Sequence, residues 1–226
     1  VIEDATESLG SLYHGKPCGA LGHLGVLSFN GNKIVTTGGG GAIVTDNVEL
    51  AQRARHLTTT AKVAHPWAFE HDEIGWNYRL PNLNAALGLA QLEQLSGFVT
   101  AKRRLAMRYA DAFRNVRGVS FVAEPAGTTS NYWLCALMLD EDDAALRDKV
   151  LQATHEAGLL SRPVWTPMHQ LFMFRDCPRA DLAATESIAR RLINVPSSAS
   201  LGMHESSSNQ NPHAGHGIVP QPEQSG

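Results

Sequence analysis

Apolar positions along the chain fall into short runs first and helical periods later. Residues 1–2, 25–29 and 42–45 are brief, partly β-branched and bounded by turn residues, which predicts buried strands. Asp46 or Asn47 stands where a helix over 48–58 needs a cap. Residues 59–75 show no period and read as a long loop, a kind of segment that is often functional. Leu83, Leu87, Ala90, Leu92 and Leu95 then recur at helical spacing. They predict helix from 81 to 116, opened by Pro81 and bent at Gly97. Beyond Gly118, residues 119–122, 132–139 and 162–165 read as strands, and 142–157 and 181–192 as helices. Alternating strands and helices imply an α/β or α+β class. The expected organisation is 1–115, 116–202 and a polar tail over 203–226, which is read as disordered and includes His204, His213 and His216.

Composition changes this picture little. With 226 residues, 43% hydrophobic and 18% charged, the chain is globular in character. A net charge of −3 gives no basic surplus for a nucleic acid. No apolar run approaches the roughly 20 residues of a membrane span. Cys18, Cys135 and Cys177 form neither a C-x-x-C pair nor an obvious disulfide framework, so a reducing, cytoplasmic setting is expected. The chain opens on Val1 with VIED, which reads as the middle of a strand and raises the expectation of a fragment.

Glycine is uneven, with ten of the 20 glycines between Gly10 and Gly41. Tight turns account for such a cluster, and so does close approach of backbone to a ligand. Lys33 stands in this region between Ser28 and Gly38. The spacing fits neither G-x-x-x-x-G-K-[ST] nor G-x-G-x-x-G, which excludes the common nucleotide loops. A lysine flanked by apolar residues can instead serve as a Schiff-base amine; otherwise it is a surface turn residue. Asp4 and Glu7 follow a strand start. They fit carboxylates lining an α/β site, or a pair at a helix N-terminus beside Thr6 and Ser8. His65, His71, Asp72 and Glu73 lack H-E-x-x-H spacing, so no metal is expected. Lys102, Arg103 and Arg104 read as a solvated helix face. His169 sits in a proline-framed segment, R-P-V-W-T-P-M-H.

Four segments in order, EDATESLG (3–10), GVLSFNGNKIVTTGGGGAIVT (25–45), HDEIGWNYRLPNLNAALGLAQLE (71–93) and RPVWTPMH (162–169), resemble the DegT/DnrJ/StrS family of sugar aminotransferases. The resemblance implies the type I aminotransferase fold, an α/β architecture, here as the later part of the large domain and a small C-terminal domain. It implies pyridoxal 5′-phosphate as cofactor, with Lys33 bonded to it. Asp4 would pair with the ring nitrogen, Ser28 would hold the phosphate, and Glu7 would lie near the ring 3-oxygen, where Gln or His is usual. Asn77 and Arg79 would reach across a homodimer to the partner's cofactor phosphate, and His169 would lie near the sugar. The implied reaction is ping-pong transfer of an amino group from L-glutamate to the 4-keto group of a nucleotide-linked 6-deoxy sugar, with the Lys33 amine carrying the proton. The resemblance is closest to bacillosamine- or legionaminic-type enzymes.

The family's N-terminal part, with a phosphate turn and a ring-stacking aromatic residue, is not found before EDATESLG. LINVPSSASLG resembles the family's LPSS ending, after which a helix is usual, whereas here a polar tail follows. Two alternatives therefore stand beside transamination. One is a truncated chain that only dimerises, with an exposed sheet edge prone to aggregation. The other is a sugar dehydratase or regulator on the same scaffold, although dehydratases carry histidine at the Lys33 position.

Overall fold

The computed structural model describes residues 1–203, and the expected disordered tail lies outside them save for Met203. In chain order, β1 (Ile2–Asp4), β2 (Leu12–Tyr13), β3 (Lys16–Pro17), β4 (Leu24–Ser28) and β5 (Gly41–Val44) lead into α1 (Val48–Thr58). Helices α2 (Asn82–Leu92) and α3 (Leu95–Phe113) follow. Then come β6 (Val119–Phe121), β7 (Thr128–Thr129), β8 (Cys135–Leu139), α4 (Ala144–Glu156), β9 (Arg162–Pro163), α5 (Ala183–Arg191), β10 (Leu192–Val195) and α6 (Ala199–Met203). Two 3-10 turns, Met168–Gln170 and Phe172–Phe174, precede α5.

Three sheets organise these elements. In the first, β4 lies between β1, which runs parallel to it, and antiparallel β5. The second is antiparallel in the order β6-β8-β10-β9. A small third sheet, β3-β2-β7, joins residues 12–13 to 128–129 and so ties the two halves of the chain together. Along β8 the alternate residues Cys135, Leu137 and Leu139 are buried, as a strand with one packed face requires. With Ile193 of β10 and Ala101, Leu105 and Ala106 of α3 they supply most of the buried apolar side chains of the C-terminal half.

Several expectations stand and several need correction. Helix 48–58 forms with those bounds, and Asn47 is its cap, its side-chain oxygen accepting from Leu50 N at 2.9 Å. The predicted helix over 81–116 is two helices. Their junction is at Glu93–Gln94 and not at Gly97, which lies inside α3. Gln94 takes φ −100° and ψ −3°, a conformation that does not require glycine. The strand expected over 132–139 starts only at Cys135, because Tyr132 has φ +45° and the chain bends there. Leu192, expected to end a helix, instead opens β10. The strand at 162–165 shortens to Arg162–Pro163. Past PSS a helical turn, α6, does form and packs on α3.

The basic cluster is also corrected. Lys102 is 5% exposed and donates to the carbonyl oxygen of Ser197. Arg103 makes a two-pronged pair with Glu124 at 2.7 and 2.8 Å. Arg104 reaches Gly202 O at 3.3 Å. Lys102 and Arg103 are thus drawn into the packing, and of the three only Arg104 remains exposed as a solvated face requires. The 59–75 segment is likewise anchored. Arg53 of α1 pairs with Glu73, and His56 lies 2.7 Å from Asp72.

Candidate active site

Two adjacent strand ends build the floor of the site. Asp4 closes β1 and is in register with Val26 of β4. Ser28, two residues beyond Val26, ends β4. Side chains two apart share a sheet face, so Asp4 and Ser28 project to the same side. Crevices at the carboxyl ends of parallel strands are where α/β sheets hold ligands. After Asp4 the chain turns through residues 5–10 without forming a helix, which removes the helix-terminus reading of Asp4 and Glu7.

Asp4 is held ionised. The Thr6 hydroxyl donates to its Oδ1 at 2.7 Å and the Thr6 amide at 3.3 Å. These bonds, led by the hydroxyl and helped by the charge of Lys33, keep its carboxyl below the usual range. Ser28 Oγ accepts from Asn30 N at 3.3 Å, which stabilises the turn leading to Lys33.

Lys33 is the centre of the arrangement. Its side chain is 11% exposed and its Nζ donates to Glu7 Oε1 at 2.9 Å. The same Nζ sits 4.4 Å from the centroid of the Trp133 ring, a cation–π contact. Trp133 is fixed in turn, since its Nε1 donates to Asn32 O at 2.8 Å and Trp165 stacks on it at 6.1 Å.

Asn131 connects the two walls. It is 3% exposed. Its Nδ2 donates to Glu7 O and Leu9 O, both at 2.9 Å, and its Oδ1 accepts from Trp133 N at 2.8 Å. One buried amide therefore sets the loop carrying Glu7 against the residue that covers Lys33. Trp133 and Asn131 were not candidates from sequence. An N-Y-W run before a strand carries no chemical signature, and only the folded chain brings it within reach of residues 7–33.

Beside Lys33 lies a cavity of about 370 Å³, lined also by Lys102, Trp133, Ser197 and Ser198. Burial pushes the Lys102 amine below its ordinary pKa and the Cys135 thiol above its own.

The other sequence candidates sit elsewhere. Arg79 lines a larger cleft of about 920 Å³ formed with Val26, Leu27, β5, α1 and Asn84, and Lys33 is not in its lining. Asn77 is exposed and bridges Thr59. His169 is turned toward α5, with Nε2 2.8 Å from Glu186 Oε1, and does not line the cavity beside Lys33. Among the residues raised for metal binding, Asp72 and Glu73 gather around His56, while His71 contacts Thr60 O and His65 caps its own turn.

The strand ends that bear Asp4 and Ser28 adjoin the turn that carries the sheltered Lys33, on a mixed α/β scaffold. Residues 1–208 match the DegT/DnrJ/EryC1/StrS aminotransferase family, and the chain belongs to it. The EpsN protein of Bacillus subtilis (strain 168), whose name describes a pyridoxal phosphate-dependent aminotransferase, is 42% identical over 176 residues. That match covers 77% of this chain and 44% of EpsN. GDP-perosamine synthase of Escherichia coli O157:H7 is 36% identical over 201 residues, covering 89% of this chain and 54% of the synthase. The crystal structure of the aminotransferase TlmJ from Streptoalloteichus hindustanus superimposes with a TM-score of 0.81 at 30% identity, covering 88% and 53% of the two chains. The chain thus spans about half the length of the curated relatives it matches. No helix among the described residues is long and apolar enough to cross a membrane.

Proposed function

We propose that this chain carries the reacting-lysine part of a cytoplasmic aminotransferase that uses pyridoxal 5′-phosphate to move an amino group from L-glutamate to a 4-keto-6-deoxy nucleotide sugar. The observation that carries this reading is the placement of Lys33 beside Glu7 and Trp133, with ionised Asp4 at the adjoining strand end. The relatives' names, a pyridoxal phosphate-dependent aminotransferase and a GDP-perosamine synthase, support the cofactor and the substrate class.

The residues present fit the cofactor. Asp4 is an anion able to face a protonated ring nitrogen, Ser28 offers a hydroxyl to a phosphate, and Lys33 offers a sheltered primary amine. Bound pyridoxal phosphate supplies a carbonyl carbon that exchanges amines and a cationic ring that draws electrons. Asp4 would hold the ring nitrogen protonated. Lys33 Nζ would serve as the base that takes a proton from the donor's α-carbon and the acid that returns one to the sugar carbon. Glu7 orients Nζ through the 2.9 Å contact. Trp133 covers the amine and excludes water from that side. His169 is assigned to the sugar side.

We assign residues 1–115 to the cofactor domain and 116–202 to the small domain. Asn77 and Arg79 are assigned to a partner subunit's phosphate. The exposure of Trp67, Phe69, Ile74 and Leu83, each at least 80%, supports a homodimer that covers this segment.

Incubating the chain with pyridoxal phosphate, reducing with borohydride and mapping peptides should place the pyridoxyl group on Lys33. Release of 2-oxoglutarate from glutamate should then depend on a 4-keto nucleotide sugar. Labelling that survives Lys33→Ala unchanged would overturn the reading.

A further inference from the structure

The buried lysine of α3 has no use in the proposed chemistry as described so far. Lys102 is 95% removed from solvent by its 5% exposure, yet it pairs with no carboxylate. Among the described residues its ammonium has one hydrogen-bond acceptor, the neutral carbonyl of Ser197. An ammonium carries three donors. A buried cation served by a single neutral acceptor is costly unless an anion completes its shell. The Cys135 thiol beside it does not supply one, because burial keeps that thiol protonated.

The position of this lysine gives the deficit a meaning. Lys102 lines the same 370 Å³ cavity as Lys33, with Trp133, Ser197 and Ser198 completing the polar and aromatic lining. The cavity closes between the turn that bears the reacting amine and the end of β10 with the start of α6. It is larger than a carboxylate group and can hold the body of a small amino acid. Any amino-acid donor must bring its amine to the carbon that Lys33 engages, and its carboxylate is attached one atom away from that amine. A cation lining the same cavity as Lys33 is a candidate partner for that carboxylate. The keto carbon of a nucleotide-linked sugar has no anion so close to it, because the diphosphate is attached at C1, across the ring from the 4-keto group.

We propose that this cavity is a carboxylate subsite for the amino-acid donor, with the Lys102 ammonium as its binding cation. The subsite rests on the aminotransferase reading for its place in the reaction, but the claim that it takes a carboxylate can be tested without the cofactor. The competing account is that Lys102 only ties the Ser197 turn to α3.

Calorimetric titration of the chain with succinate at neutral pH is the direct test, with inorganic phosphate and chloride as competing anions. Saturable succinate binding is expected. It should weaken by at least about tenfold in Lys102→Met, since removing one partner of a buried charge contact is costly. Lys102→Arg should keep most of it. Lys102→Gln retains a donor for Ser197 while removing the charge, and it carries the same expectation should Lys102→Met fold poorly. In cofactor-loaded protein, the same charge-removing variants should raise the donor's half-saturation concentration while leaving borohydride labelling of Lys33 intact. Equal succinate binding by the wild type and the charge-removing variants would overturn the proposal, as would phosphate or chloride displacing succinate equally well. Absence of Lys33 labelling with Lys102-dependent succinate binding preserved would instead count against the aminotransferase reading alone.

Discussion

Replacing Asn131 by alanine should loosen both walls of the site at once. The side chain satisfies three backbone groups, Glu7 O, Leu9 O and Trp133 N, at 2.8 to 2.9 Å. A buried polar group deprived of its partner costs about 1–3 kcal/mol. Glu7 is exposed and Leu9 and Trp133 are half-buried, so water recovers part of that loss. The expected destabilisation is therefore about 2–4 kcal/mol rather than the full sum. Urea unfolding followed by circular dichroism reads it as a lower midpoint at unchanged slope. Asn131→Asp should be worse at neutral pH, because a carboxylate would face the carbonyls of Glu7 and Leu9 without donors. A site-specific readout accompanies the stability change. With Glu7 and Trp133 released, Lys33 should be acylated faster by an amine reagent, scored by peptide mass. A loss below about 1 kcal/mol together with unchanged Lys33 labelling would refute the view that Asn131 couples the two walls.

Two further substitutions test the electrostatics and the helix junction. Arg190 donates to both carboxylate oxygens of Asp142, at 2.6 and 2.8 Å, and holds its pKa down to about 2 from an ordinary 3.8. A depressed folded pKa contributes stability that is present above pH 3.8 and lost as pH falls toward 2, so Asp142→Asn should flatten that part of the acid-unfolding profile. Gly97→Ala, at an exposed position inside α3 where an added Cβ meets nothing within 4 Å, should raise stability by about 0.5–1 kcal/mol in the same urea assay. A loss there would restore Gly97 as a bend.

What the sequence revealed depended on how local the determinant was. The strands around Lys33 and the helix with its Asn47 cap were legible because turn residues and capping act within a few positions. The segments holding Asp4, Ser28 and Lys33 were legible as family segments too, because they stand in the order of the family that residues 1–208 match. The junction at Glu93–Gln94 was not, since its backbone angles are open to any residue and Gly97 offered a false marker. Lys102 was misread for a related reason. A K-R-R run looks solvated until the return of the chain at Ser197 buries one face of α3, and contact across 95 positions leaves no periodic trace. The same distance hides Trp133, which meets Asn32 across 101 positions.

These long-range contacts have one consequence in common. Lys33 sits on the turn after β4, but the groups that shelter it come from beyond α3. Trp133 covers its amine, Asn131 fixes Glu7, and Lys102 and Ser197 close the cavity behind it. The small β3-β2-β7 sheet and the Ser11 hydroxyl, which accepts from Asn131 N at 2.9 Å, hold those groups at this position. On the proposed reading, the lysine and the strand-end carboxylate supply the chemistry, while the C-terminal half shelters the amine and, through Lys102, selects the anion that binds beside it. Substitutions in the 130–133 loop should therefore change Lys33 reactivity, and those at Lys102 ligand preference, without touching either strand that carries Asp4 and Ser28.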